Sequence, residues 1–303
     1  MAITVELVSQ IIEKIAPKRW AEEWDNVGLL VGDGASPVER ILITLDGTAE
    51  VISEAKEFGA QLIVAHHPIM LKPLKNLRAD NPDARLPLLL LQHKIAYYAA
   101  HSNLDQSILS PSWSLGDLLA LENMKPLVEA PPASQGDPGA QGVPAVQEAS
   151  SGPARQGYGV IGYLPEPEKL GVVWRDFLRV INQLEVCSNQ EELELAACHL
   201  AGDPEKLVRK VAIVNGSGSS FLPQALFQGA DFFITGDVNH HAALDALDRG
   251  MAVGDLGHFV SEAPMMQALY HYLTAEQQLD GVGIKVSNKN RLPWVNPNRY
   301  GGS

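Results

Sequence analysis

The chain has 303 residues, 46% hydrophobic and 19% charged, a composition that excludes a mostly disordered polypeptide and leaves room for one large domain or two of ordinary size. Asp and Glu number 36 against 23 Lys and Arg, and a net charge of −13 without any basic run argues against nucleic acid as a partner. No apolar run is long enough to span a bilayer, the first thirty residues hold acids and no cleavable apolar core, and the two cysteines, Cys187 and Cys198, form no CxxC pair; these features predict a cytoplasmic protein with no membrane partner and no thiolate metal site.

Val5–Ile15 has apolar positions at helical spacing. Residues 41–45 read as a buried strand ending at Asp46-Gly47-Thr48, where Asp46 and Thr48 stand at the reactive edge or Thr48 simply caps the helix Ala49–Phe58, itself closed by Gly59. Leu62–Ala65 is the next strand and runs straight into His66-His67-Pro68. A helix over about 82–93 leads to a strand over 95–100, which delivers His101-Ser102-Asn103-Leu104-Asp105. Short apolar strands alternating with helices predict α/β layering.

Residues 128–157 change character. From Pro131 onward Pro, Ala, Gly, Ser and Gln dominate, so a mobile linker or surface loop is expected between an N-terminal half, 1–127, and a C-terminal half, 158–303. Order resumes with a strand over 158–164 and a helix over 170–184. A strand over 211–214 opens onto Asn215-Gly216-Ser217-Gly218-Ser219-Ser220. The backbone N–H groups of that turn either hold a phosphate or close a plain tight turn, since no P-loop lysine follows. Next come a helix over 221–227 ended by Gly229, a strand over 232–235 opening onto Gly236-Asp237, and a helix over 241–248 ended by Gly250. A short strand over 251–253 leads to Asp255-Leu256-Gly257-His258-Phe259-Val260-Ser261-Glu262. Pro264 then starts a helix to about Leu273, with Met265 and Met266 on its core face.

The two halves share an order of elements. In each, a helix closes at Gly-Ala (Gly59-Ala60, Gly229-Ala230), and a strand follows that ends in polar residues, His66-His67 or Gly236-Asp237. A helix and a further strand then lead to a histidine with an acid four positions on, His101/Asp105 or His258/Glu262. This order predicts an internal duplication into two similar α/β units.

In open α/β sheets, ligands bind beyond the carboxyl ends of the strands. Three strand ends here carry His66-His67, His101/Asp105 and His258/Glu262. Imidazole and carboxylate together are donors for zinc, manganese or iron. Four histidines and two acids exceed what one tetrahedral ion takes, which points to two ions ~3.5–4 Å apart sharing a carboxylate. An adjacent His pair within a strand points its rings to opposite faces, so the pair serves one site only past the strand end, where Pro68 turns the chain. Taken singly, His93, His199 and His271 read as surface or core residues.

Five blocks carry a resemblance. They are Trp24-Asp25-Asn26-Val27-Gly28-Leu29, IVAHHP ending at Pro68, AHSNLD ending at Asp105, ITGD ending at Asp237 with His240-His241, and DLGHFVSE ending at Glu262. Together they resemble the signature blocks of the Nif-three-like family, whose bacterial members are named GTP cyclohydrolase 1 type 2 homologues. The match covers about 1–121 and 205–303; the middle is not matched closely and is too short for the full domain that longer members insert there. The resemblance implies two similar α/β units facing each other across a dinuclear site with two divalent ions per chain. It implies His66, His67, Asp105, His258 and Glu262 as ligands, with Glu262 as the bridge; His101 lies close by, either as a support behind a ligand or as the catalytic acid–base candidate. It implies a homo-oligomer as well, often a hexameric ring built from dimers.

Trp24-Asp25-Asn26 reads either as a pocket wall, with Asp25 touching substrate or orienting a metal-bound histidine, or as a capped turn around a buried Trp. Asp237, His240 and His241 are expected to contact substrate. The chain is thus expected to be a metal-dependent hydrolase of a small molecule, a nucleotide or a related cyclic amide or phosphoester. The alternative is a non-enzymatic metal-binding or insertion protein, or an oligomeric interaction scaffold. DNA binding through a ring lumen is opposed by the net charge.

Overall fold

The computed structural model describes residues 2–130, 156–184, 198–290 and 292–293. They fall into two compact units, 2–109 with 266–290 in the first, and 110–130 with 156–184 and 198–265 in the second. Residues 110–127, N-terminal by position, therefore pack in the second unit, and 266–290 pack in the first. Of the stretch expected to be a linker, 131–155 lies outside the described residues, as does Cys187; Val128, Glu129 and Gly157 belong to strands.

In the first unit, α1 (Val5–Ile15) is capped by Thr4, whose hydroxyl accepts the Leu7 N–H at 3.3 Å, and buries Val5, Val8, Ile11 and Ile12. It is followed by β1 (Gly28–Val31), β2 (Arg40–Thr44), α2 (Ala49–Phe58), β3 (Leu62–Ala65), α3 (Arg85–Gln92), β4 (Ala96–Ala99) and the single turn α4 (Ser102–Asp105). The sheet order is β1-β4-β3-β2, and the strand Gly283–Val286 pairs with β2 at the far edge. β2, β3, β4 and that last strand are parallel, while β1 is antiparallel to β4. Of the two readings of Thr48 the cap is the one seen: it accepts the Val51 N–H at 3.2 Å, and Gly59 closes α2 in the left-handed region. The helix expected over 82–93 divides into the 3-10 turn Pro82–Ala84 and α3, because Asn81 caps the first and Pro87 falls in the first turn of the second. β2 to β4 are continuous runs of buried Ile, Leu, Val, Ala and Tyr, as a parallel sheet covered on both faces requires. Their carboxyl ends share one edge, so the chain emerges there at Asp46, at His66-His67 and at His101.

The second unit contains α5 (Pro111–Leu118), β5 (Glu122–Glu129), β6 (Gly157–Lys169), α6 (Leu170–Ile181), β7 (His199–Ala201), β8 (Leu207–Ser217), α7 (Leu222–Phe227), β9 (Phe232–Gly236), α8 (His240–Asp248), β10 (Ala252–Asp255) and the short α9 (His258–Glu262). Its sheet order is β5-β6-β8-β9-β10-β7, with β8, β9 and β10 parallel and the other pairs antiparallel. α6 ends at Ile181, earlier than its sequence pattern suggests, after burying Leu170, Val173, Trp174, Phe177 and Ile181 on one face. β6 and β8 exceed their apolar cores because backbone pairing between them continues into polar residues, out to Lys169↔Leu207. The helix Pro264–Ala275 begins at its proline as expected, and Met265 and Met266 are buried. Among the described residues no helix is long and apolar enough to cross a membrane.

Candidate metal centre

At the carboxyl edge of the first sheet, backbone pairing continues one step beyond β3: His66 N–H donates to Thr44 O at 3.2 Å and His67 N–H to Leu45 O at 2.9 Å. The two rings nevertheless lie together, centroids 4.9 Å apart, and the His101 ring stands 4.9 Å from His66 and 5.4 Å from His67. One donor atom of each of the three imidazoles lies within 4.8 Å of the others. Asp105 Oδ1 is 3.8 Å from His66 Nε2.

What makes these rings available is the way their Nδ1 atoms are held. His66 Nδ1 lies 2.8 Å from Ala100 O. A carbonyl can only accept, so Nδ1 carries a proton, and in the neutral ring Nε2 holds the lone pair. His67 Nδ1 lies 2.8 Å from Asp46 Oδ1, and His101 Nδ1 lies 2.9 Å from Asp25 Oδ1. The same logic gives the same tautomer in all three rings, and each offers Nε2 as a donor. Histidines that ligate metals are held in this way, by a carboxylate or carbonyl at the other nitrogen. The chemistry of this donor set, imidazoles with a carboxylate beside them, fits a borderline divalent ion.

Asp25 is fully enclosed. Burial alone would raise its pKa, but hydrogen bonds from His101 and Ser102 outweigh it and hold the carboxyl well below the usual carboxylate range. Its Oδ2 accepts both the Ser102 backbone N–H, at 3.0 Å, and the Ser102 hydroxyl, at 2.5 Å. Asn103 fixes the same turn: its Oδ1 accepts the His101 N–H at 2.9 Å and its Nδ2 donates to Ala16 O at 2.7 Å. Tyr97 hydroxyl donates to His67 O at 2.7 Å. Sequence reasoning passed over Ser102, Asn103 and Tyr97 as supports; the first two sit inside the block AHSNLD, so the signal was there without its reason.

In the second unit, His258 and Glu262 occupy the first and last positions of α9 and share a helix face by their i,i+4 spacing, with Nε2 and Oε2 3.2 Å apart. His258 Nδ1 lies 2.7 Å from Asp237 Oδ2, the same support by a carboxylate. Glu262 is buried. Gly216 has φ +63° and passes so close to Glu262 that a Cβ there would collide with Oε1. Gly236 is as constrained, since its Cβ would meet the Gly257 carbonyl and the His258 nitrogen. β8 runs on through Asn215-Gly216-Ser217, so the expected turn starts only at Gly218. Gly216 N–H donates to Ser261 Oγ and Gly218 N–H to Thr235 Oγ1, both at 2.9 Å.

The expected site residues thus divide by unit. The first gathers His66, His67, His101 and Asp105, with Asp25 and Asp46 behind the rings; the second pairs His258 with Glu262, with Asp237 behind the ring. His240 and His241 open α8, exposed, with their rings 5.4 Å apart, and belong to neither set. Trp24 is exposed, as a pocket wall and not as the buried Trp of a capped turn.

Comparison with known proteins bears on this arrangement. The Duf34/NIF3 (NGG1p interacting factor 3) family model matches residues 3–293. A Clostridium perfringens protein named "GTP cyclohydrolase 1 type 2 homolog" is 34% identical over 259 residues, covering 86% of this chain and 87% of its own. A protein of the same name from Clostridium acetobutylicum is 29% identical, covering 97% and 99%. Among solved structures, a Staphylococcus aureus hypothetical protein is 26% identical at a TM-score of 0.80, covering 98% of this chain and all of its own. A Bacillus cereus protein related to NIF3 has the same fold, with a TM-score of 0.80 over 98% of this chain at 24% identity.

Proposed function

The chain belongs to the Duf34/NIF3 family, and on that premise we propose that it is a hydrolase dependent on two divalent ions, zinc, iron or manganese. His66, His67 and Asp105 from the first unit and His258 and Glu262 from the second are the proposed ligands, with Glu262 as the bridge. The observation that carries this reading is the set of three imidazoles in the first unit, each held at Nδ1 by an acceptor and each offering Nε2 within one small region. Such rings are already oriented for binding a cation by their partners at Nδ1. When bound, two divalent ions supply a water acidic enough to ionise near neutral pH and polarise the bond it attacks.

The chain's own residues do the rest. Asp46 and Asp237 hold the rings of His67 and His258 in the donor tautomer. Asp25 does the same for His101, which carries a proton at Nε2 to or from the reacting group. Because His101 falls in the donor group with His66 and His67, a second reading makes it a third imidazole ligand. His101→Gln separates the two: full metal content with lost turnover supports the proton carrier, and lost metal supports the ligand. The substrate class proposed is a nucleotide or a related cyclic amide or phosphoester, following the relatives' name, and the assembly proposed is a homo-oligomer, a hexameric ring built from dimers.

Internal duplication is part of the same proposal. Each unit has an antiparallel edge strand followed by three parallel strands joined by helices. Gly32 follows β1 at φ +107° against Ala96, and Gly202 follows β7 at φ +137° against Ala252. Gln61 Oε1 accepts the N–H groups of Glu39 and Arg40, as Asp231 Oδ2 accepts those of Arg209 and Lys210. These matched devices support a common origin more strongly than the residue letters do.

The test is a turnover screen of metal-loaded protein against nucleotides, phosphodiesters and cyclic amides. Metal-dependent hydrolysis, abolished by chelation and restored by metal, is the expected result. Metal retained without turnover of any class would favour the non-enzymatic alternative.

A further inference from the structure

Asp255 is the first residue of the block that ends at Glu262, and it has no part in the proposed ligand set. It closes β10, half-buried, three positions before His258. Backbone pairing runs one step past it, with Leu256 N–H donating to Thr235 O at 2.8 Å. The two oxygens of its carboxylate then serve different loops. Oδ1 accepts the Gly257 N–H at 2.8 Å, and Oδ2 accepts the Val238 N–H at 3.0 Å. Gly257 directly precedes His258, and Val238 directly follows Asp237. One side chain therefore holds both of the loops that bring His258 Nδ1 to within 2.7 Å of Asp237 Oδ2.

Accepting the N–H two residues on is an ordinary turn contact, made also by Asp33 and Asp203. The contact to Val238, 17 positions away at the end of another strand, is not. Two features give it a purpose. Asp237 is exposed and has φ +55°, in the left-handed region that is uncommon for a residue with a Cβ. An exposed residue has little packing to keep it there, and strain of this kind persists only where the surroundings over-determine it. Gly257 has φ +74°, and Gly236 lies so close that a Cβ on it would strike the Gly257 carbonyl group. At that contact two glycines meet, and they offer no side chain to fix how the loops sit.

We propose that Asp255 is the positioning residue for the His258 donor: it fixes the separation of Asp237 and His258, and through them the tautomer and direction of the ring. Its bearing on the metal rests on the reading of His258 as a ligand; its effect on the ring rests on geometry alone.

The test follows the His258 imidazole in chelated, metal-free full-length protein by nitrogen NMR of the histidine rings, in alkaline buffer where imidazoles are neutral. His258→Gln identifies the signals. The parent protein should carry the ring proton on Nδ1. Asp255→Ala removes both contacts, and Asp255→Asn keeps the shape with one acceptor and so remains informative if the alanine variant does not fold. Both should shift the ring toward a mixture of tautomers and lower zinc affinity, measured in competition with a chelator, by roughly tenfold or more. The control is Asp231→Ala. Asp231 lies in the same unit and accepts the N–H groups of Arg209 and Lys210, so its loss removes two similar contacts away from the histidine. It should lower the denaturation midpoint and leave tautomer and zinc affinity unchanged. A His258 tautomer unchanged in the Asp255 variants, an unchanged zinc affinity, or equal losses in Asp231→Ala would overturn the proposal. A parent protein that binds no zinc sinks the metal reading, and the tautomer then still decides whether Asp255 sets the ring.

Discussion

Asp25 and His101 form a carboxylate–imidazole pair in which Oδ1 stands 2.9 Å from Nδ1 and the Asp25 side chain has no solvent exposure. An acid so enclosed is tolerated because Ser102 and His101 together satisfy both oxygens. Asp25→Asn keeps the shape and removes the charge, so the donor tautomer of His101 is no longer enforced. Turnover should fall ~10–100-fold with the metal content kept, the usual effect of losing such a support. Unchanged turnover would mean that His101 is oriented by packing alone.

Gly216 separates backbone strain from site geometry. Gly216→Ala places a methyl group against Glu262, while Gly229→Ala meets nothing within 4 Å at nearly the same dihedral, φ +73° against +63°. Both should lose about 1 kcal/mol or somewhat more to left-handed strain, measured by denaturant unfolding. Only Gly216→Ala should also lower the metal content. Equal metal content in the two variants would show that Glu262 does not need its present position.

Much of this was legible in the sequence, for identifiable reasons. The parallel strands are continuous apolar runs between capped helices, so β2, α2 and β3 sit at or within a residue of their expected bounds. The donor residues announce themselves by chemistry at strand ends. β1 and β7 were not legible, because strands of four and three residues with partial burial carry no periodic signal. α5 and β5 were hidden by a run whose polar and apolar residues fit neither period, and their packing in the second unit is a tertiary fact that chain position obscures. The supports of the site depend on long-range partners such as Ala100 O for His66, and residue letters do not encode a carbonyl's position.

Glu54 fastens the strand Gly283–Val286 from α2. Its Oε1 accepts Lys285 Nζ at 2.7 Å and the Asn288 N–H at 3.1 Å, and its Oε2 accepts the Ser287 hydroxyl at 2.5 Å. Burial raises its pKa, but these three donors outweigh it and leave the carboxyl below its ordinary value. A folded-state pKa below the unfolded one gives stability that is present above the unfolded carboxylate range, ~4.3, and lost as pH falls through the folded value. Glu54→Gln should therefore cost about 1–3 kcal/mol at neutral pH, with the gap to the parent protein closing in acid. A gap that is constant with pH would show that the charge is not what fastens the strand.

The most direct test of the central claim is metal stoichiometry, by elemental analysis of the purified protein joined to anomalous scattering from its crystals. Two divalent ions per chain are predicted, with anomalous peaks at coordination distance from Nε2 of His66 and His67, and Glu262→Ala should remove at least one of them. A protein that takes up no divalent ion, or one whose peaks lie away from these imidazoles, would contradict the account.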